Sequence, residues 1–98
     1  MNTNKIIVSQ VTSGTLSNSD GFSLKAIIDA TLASDNVVLL AFDGIITISS
    51  SFLNSSLGEI IDQYGFDILK DRIRITNYTP SIGLAIKNYV SDLRISAH

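Results

Sequence analysis

The chain contains no cysteine and no tryptophan, one proline and a single histidine. Without cysteine there is no disulfide framework, no thiolate zinc site and no thiol nucleophile. A reducing compartment suits such a chain, and a cytoplasmic location is the expectation. The lone histidine is His98, the last residue, where a frayed end is expected and a general base would lack a fixed position. A serine hydrolase is therefore a poor fit, more so because no G-x-S-x-G elbow is present. The acids show no EF-hand or other ligand spacing. The glycines at 14, 21, 44, 58, 65 and 83 form neither of the glycine-rich phosphate cradles. No metal, cofactor or enzymatic activity is expected.

Charge is scarce too. Charged residues make up 16% of the sequence, the net charge is -2, and the seven Lys and Arg are scattered. Phosphate-backbone binders cluster their cations, so nucleic acid is not the expected partner. The longest apolar run, Val37 to Phe42, falls well short of the ~20 residues that cross a bilayer. The amino terminus "MNTNKIIVSQ" lacks the pattern of a signal peptide. No membrane association is expected.

Apolar residues, by contrast, make up 45% of the 98 residues, enough for one small ordered domain over 1–98. "KIIV", Lys5 to Val8, reads as a first strand that could continue to Val11. Thr12 to Gly21 is rich in turn-forming residues. Leu24, Ile27, Ile28 and Leu32 then recur at helical spacing, with Ser19 or Asp20 as cap and an end near Ser34. "NVVLLAF" is an unbroken apolar run, which predicts a central strand covered on both faces in a largely parallel sheet. Leu53, Leu57, Ile60, Ile61 and Tyr64 form the stripe of a second helix, stopped by Gly65. "RIRIT", Arg72 to Thr76, alternates like a strand with one wetter face. Thr79 caps a third helix that opens at Pro80 and carries Ile82, Ile86, Tyr89, Val90 and Leu93 as its stripe. The expected fold is an α/β sandwich of about three helices on a mostly parallel three-stranded sheet. A fourth strand within Thr12 to Asp20 would make the sheet mixed.

Between the second strand and second helix lies "DGIITISSSF", Asp43 to Phe52. Strand ends that feed helix starts are the usual contact edge of open α/β sheets. One of Ser49, Ser50 and Ser51 is expected to cap the helix, at a value of roughly 1 kcal/mol. Asp43-Gly44 reads as a turn, the other reading being that Asp43 orients a phosphorylating ligand. Phe52 lies off the main stripe, either in the core or exposed as a partner anchor.

The run apolar strand, Asp-Gly-Ile, Ile-Ser-Ser-Ser-Phe, helix, followed by "GFDILKDRIRITN" and an amphipathic helix, resembles an uncharacterised STAS-like bacterial family similar to anti-sigma factor antagonists. The likeness covers a little over half of the chain, Val37 to Val90, and implies a small STAS-like sandwich. In the antagonists a strand and a valine-containing turn lead to Asp-Ser-[Ser/Thr]-Gly-Leu at a helix start, and a partner kinase phosphorylates the first hydroxyl residue. On this chain Ile45 matches the valine, Ser50 the phosphoacceptor, Ser51 the second hydroxyl and Leu53 the Leu. Ser49 stands in place of the Asp and Phe52 in place of the Gly. The resemblance implies a non-enzymatic regulatory module that binds a protein partner, a histidine-kinase-like ATPase being the candidate. Its partner-binding edge would comprise Asp43, Ser49, Ser50, Ser51, Phe52 and Asn54. The competing expectation is a constitutive structural or oligomerisation module in which the serines only cap the second helix.

Overall fold

Three short apolar segments build the sheet. In the computed structural model, which describes residues 2–96, they are β1 (Thr3–Ile7), β2 (Val37–Ala41) and β3 (Ile73–Thr76). All pair in parallel in the order β1-β2-β3, with β2 in the centre. The register aligns Ile6 with Leu40 and Leu40 with Ile75. His98 lies outside the described residues.

The chain leaves β1 sooner than its β-branched run suggests. Val8–Val11 forms a short helix, α1, and Thr12 closes it by donating both its N–H and its hydroxyl to the Val8 carbonyl, at 3.1 and 3.0 Å. No fourth strand follows among the described residues: 12–17 are irregular and α2 (Asn18–Ala33) begins directly after them. The cap of α2 is Ser17, which accepts from the Asp20 N–H at 3.1 Å. Asp20, expected as a cap, instead accepts the Ser13 hydroxyl at 2.9 Å. At the far end of α2, Arg72 donates to the carbonyls of Leu32 and Asn36. That contact ties the helix end to the start of the sheet.

After β2, Phe42 to Ile45 makes a turn closed by Ile45 N–H donating to the Phe42 carbonyl at 3.1 Å, with Gly44 at φ 75°. The second helical region starts as α3 (Ser50–Leu53), widens into a π segment (Asn54–Gly58) and continues as α4 (Glu59–Tyr64). It stops at Gly65, φ 89°, a backbone conformation that a side chain would resist. A short helix not expected from the sequence, α5 (Ile68–Asp71), leads into β3. Thr79 accepts from the Ile82 N–H at 3.2 Å at the start of α6 (Pro80–Ser96).

One core joins these elements. Ile6, Val38, Leu40, Phe42 and Ile73 from the sheet meet Leu24 and Ile28 of α2, Phe52, Leu57 and Ile60 of the second helical region, and Ile82 and Ile86 of α6. Side chains alternate across a strand, so these sheet residues share one face and all three long helical regions cover that face. The other face carries Lys5, Leu39 and Arg74 in one register row, Val37 toward the start of β2, and Ile7, Ala41 and Thr76 toward its end, with Ala41 fully buried. Leu39 and Val37 are half-buried and Lys5 and Arg74 exposed, and none of the four belongs to the core cluster. The expectation that β2 is covered on both faces holds fully for one face and in part for the other: no residue of β2 is exposed, yet Val37 and Leu39 keep some surface. Its apolar run feeds the hydrophobic core on one side, where the three long helical regions pack.

Candidate functional site

The edge between β2 and α3 is stitched to the loop before α2. Thr15 is buried, and its hydroxyl donates to the Thr47 carbonyl at 2.6 Å. The Ser49 N–H donates to the Thr15 carbonyl at 3.1 Å. The Ser49 hydroxyl accepts from the Phe52 N–H at 3.0 Å and donates to the Leu16 carbonyl at 2.7 Å. Ser49 is therefore the cap of α3 and a clasp between two loops, and both capacities of its hydroxyl are used.

Ser50 and Ser51 stand in contrast. They occupy the first helical positions, are exposed, and their hydroxyls make no hydrogen bond to the described residues. Neither caps the helix: the one cap expected among the three serines is Ser49, and the competing expectation that Ser50 and Ser51 also serve as caps is corrected. Phe52, assigned to the partner-binding edge, is fully buried in the core and has no surface to offer a partner. Phe52 fills core space on the inner side of α3, while Ser50 and Ser51 are exposed on the outer side. Asp43 sits half-buried in the turn after β2, and no hydrogen bond joins it to the serines. Asn54, one turn beyond Ser50, accepts the Tyr89 hydroxyl at 2.6 Å and so belongs to the α6 side of the helix.

Two residues at this edge escaped the sequence reading. Leu16 and Ile46 are 61% and 79% exposed, large apolar side chains on the two loops that Thr15 and Ser49 hold together. Leu16 lay in the unreadable 12–21 stretch, and the Ser49 hydrogen bond to its carbonyl brings it to the serine cap; Ile46 looked like part of an apolar run, and it lines a shallow groove with Ser81, Ile82 and Ala85 of α6. The loop 45–49 and the helix start contain no charged residue.

The buried side of the second helical region explains its π segment. Ser55 donates to Asn18 Oδ1 at 2.7 Å, and the buried Ser56 donates to the Phe52 carbonyl at 2.7 Å. A serine hydroxyl taking the carbonyl of the preceding turn competes with the helix ladder. Gly21 of α2 lies against the same stretch: a Cβ there would fall 2.6 Å from Ser55 Cβ and 2.7 Å from the Phe52 carbonyl oxygen. The rear of the site is thus fixed by a close helix-to-helix approach. On the α6 side an open groove of about 500 Å³ is lined by Gly58, Glu59, Asp62, Phe66, Tyr89 and Leu93 among others. Burial, followed by the Glu59 charge, pushes the Tyr89 phenol above its ordinary value.

A family described as a STAS-like domain of unknown function (DUF4325) matches residues 20–82, more than half of the chain. The chain belongs to this STAS-like family. The matched stretch runs from α2 through the serine edge to the first turn of α6 and includes two of the three strands. No curated protein and no solved structure matches the chain significantly. No helix among the described residues of this STAS-like domain is long and apolar enough to cross a membrane.

Proposed function

We propose that this STAS-like domain is a non-enzymatic, cytoplasmic regulatory module that docks a protein partner through the edge formed by Leu16, Ile46, Ser50 and Ser51, and that Ser50 is its phosphoacceptor. The observation that carries the reading is the division of labour between adjacent serines. Ser49 is committed to the fold, while the Ser50 hydroxyl is exposed and makes no hydrogen bond to the described residues, at an edge whose two loops carry the exposed side chains of Leu16 and Ile46. The candidate partner is a histidine-kinase-like ATPase, which would transfer the γ-phosphoryl group of ATP to Ser50 Oγ, releasing ADP and the hydroxyl proton. A phosphoserine adds about -1.5 to -2 charges at neutral pH. On an edge without charged residues this penalises apolar contact with Leu16 and Ile46, so phosphorylation would release the partner.

The test is to incubate the protein with each histidine-kinase-like ATPase of its source and ATP and to measure intact mass and binding. The expected result is one added phosphate, lost in Ser50→Ala, with weaker binding by Ser50→Asp. No mass change, together with equal binding by wild type, Ser50→Ala and Ser50→Asp, contradicts the switch. A second reading, a constitutive structural or oligomerisation module, draws support from the clasp made by Ser49, since that serine has a complete structural role. It predicts binding insensitive to every change at Ser50.

A further inference from the structure

We propose that the open face of the sheet is a second interface, built to receive an amphipathic helix of another polypeptide whose apolar stripe is flanked by acidic residues. Parallel sheets are ordinarily covered on both faces, yet every helix that contributes to the core lies on one side of this sheet. The other side has an apolar centre on the middle strand, the half-buried Val37 and Leu39 with the buried Ala41 at one end. Three strands about 4.8 Å apart span roughly 10 Å, the width of one helix with its side chains. The face therefore accommodates a single helix laid along β2.

Charge selects the chemistry of that helix. The three strands contain no acidic residue, and their only two charged residues, Lys5 and Arg74, flank Leu39 in the same register row from opposite sides. Asp35 and Asp43 lie beyond the two ends of β2. A helix with a Leu-type stripe and Asp or Glu on both flanks would place its acids over Lys5 and Arg74, an arrangement that favours association and orientation together. A second copy of this chain is a poorer occupant, because face-to-face pairing sets cations against cations. A lipid surface is also poorer, since two cations on a protein of net charge -2 give little attraction to anionic headgroups.

The inference is independent of Ser50 and is tested on the full chain. The 15N-labelled protein is titrated with a synthetic helix-forming peptide of about 18 residues, Leu on one stripe and Glu on both flanks, and with the same peptide carrying Lys for Glu. The expected result is saturable movement of the Lys5, Val37, Leu39 and Arg74 amides, with the Glu peptide binding at least about tenfold more tightly than the Lys peptide. The Lys5→Glu/Arg74→Glu variant, altered only at exposed side chains, should lose that preference, whereas Ser50→Asp should leave it unchanged. The proposal is overturned if the Glu peptide does not bind, if both peptides bind equally, or if the shifts map to residues 45–54 instead. It is equally overturned if phosphatidylserine vesicles, or concentrating the protein alone, move these amides and the Glu peptide does not.

Discussion

Leu39 and Leu40 are neighbours of the same residue type on the same strand, and they point into different worlds. Leu40 is fully buried among residues from all three long helical regions, whereas Leu39 is half-buried between Lys5 and Arg74. The first holds the fold together and the second is left free for contact. An unbroken apolar run therefore does not by itself mean that both faces are covered. In this STAS-like domain the same run closes a one-sided core and presents an apolar strip outward.

The largest expected effect sharpens that contrast directly. Leu40→Ala should cost about 2 to 5 kcal/mol, from lost burial and the cavity left behind, while Leu39→Ala should cost less than about 1 kcal/mol. Urea unfolding of both variants checks this, and equal losses would mean that the second face is also packed. Next comes the close approach of α2 to the π segment. Gly21→Ala forces a methyl group toward Ser55 and the Phe52 carbonyl, and should destabilise by about 1 to 3 kcal/mol, measured in the same way.

The two faces of the sheet were only half legible in the sequence. Element order, the three strands, the Thr79 cap and the Gly65 stop follow from local patterns that need no partner, and the structure has each of them. The open face was not legible, because periodicity reports which residues are apolar, not how many layers are available to cover them; the helices could have been shared between both faces. At the site, the resemblance singled out Ser49–Ser51 but not their separate roles. Those depend on Thr15 and Leu16, brought in from a segment more than thirty residues away in sequence. Phe52 was ambiguous because a residue off the main stripe can still be buried when other elements close over it, as in this shared core.

The serine edge repeats the contrast at the scale of adjacent residues. Ser49→Ala removes the cap and the clasp to Leu16 and should cost about 1 to 2 kcal/mol, whereas Ser50→Ala should change stability by less than about 0.5 kcal/mol. A large loss at Ser50 would place it in the fold rather than at a free edge. The smallest expected effect concerns two tyrosines, Tyr89 of α6 and Tyr64 of α4, whose hydroxyl donates to Asp29 at 3.3 Å. Burial raises the folded-state pKa values of Tyr89 and Tyr64 above the ordinary 10.0. The folded protein then holds these protons more tightly than the unfolded chain, so stability is unaffected below pH 10.0 and declines as pH rises above it through the raised folded values. Tyr89→Phe should flatten part of that decline in an alkaline unfolding series, and an unchanged slope would assign it elsewhere.

The most direct test of the one-sided sheet uses the absence of cysteine in the native sequence, because any introduced thiol is then the only one. Maleimide labelling rates are compared for Leu39→Cys and Leu40→Cys under native conditions and in denaturant. The account predicts that Leu39→Cys labels in the native protein within about tenfold of its denatured rate, and that Leu40→Cys is slowed by more than about a hundredfold, because it must wait for the fold to open. Equal protection of the two thiols would contradict it, since Leu39 would then be as covered as Leu40 and the sheet would have no open face.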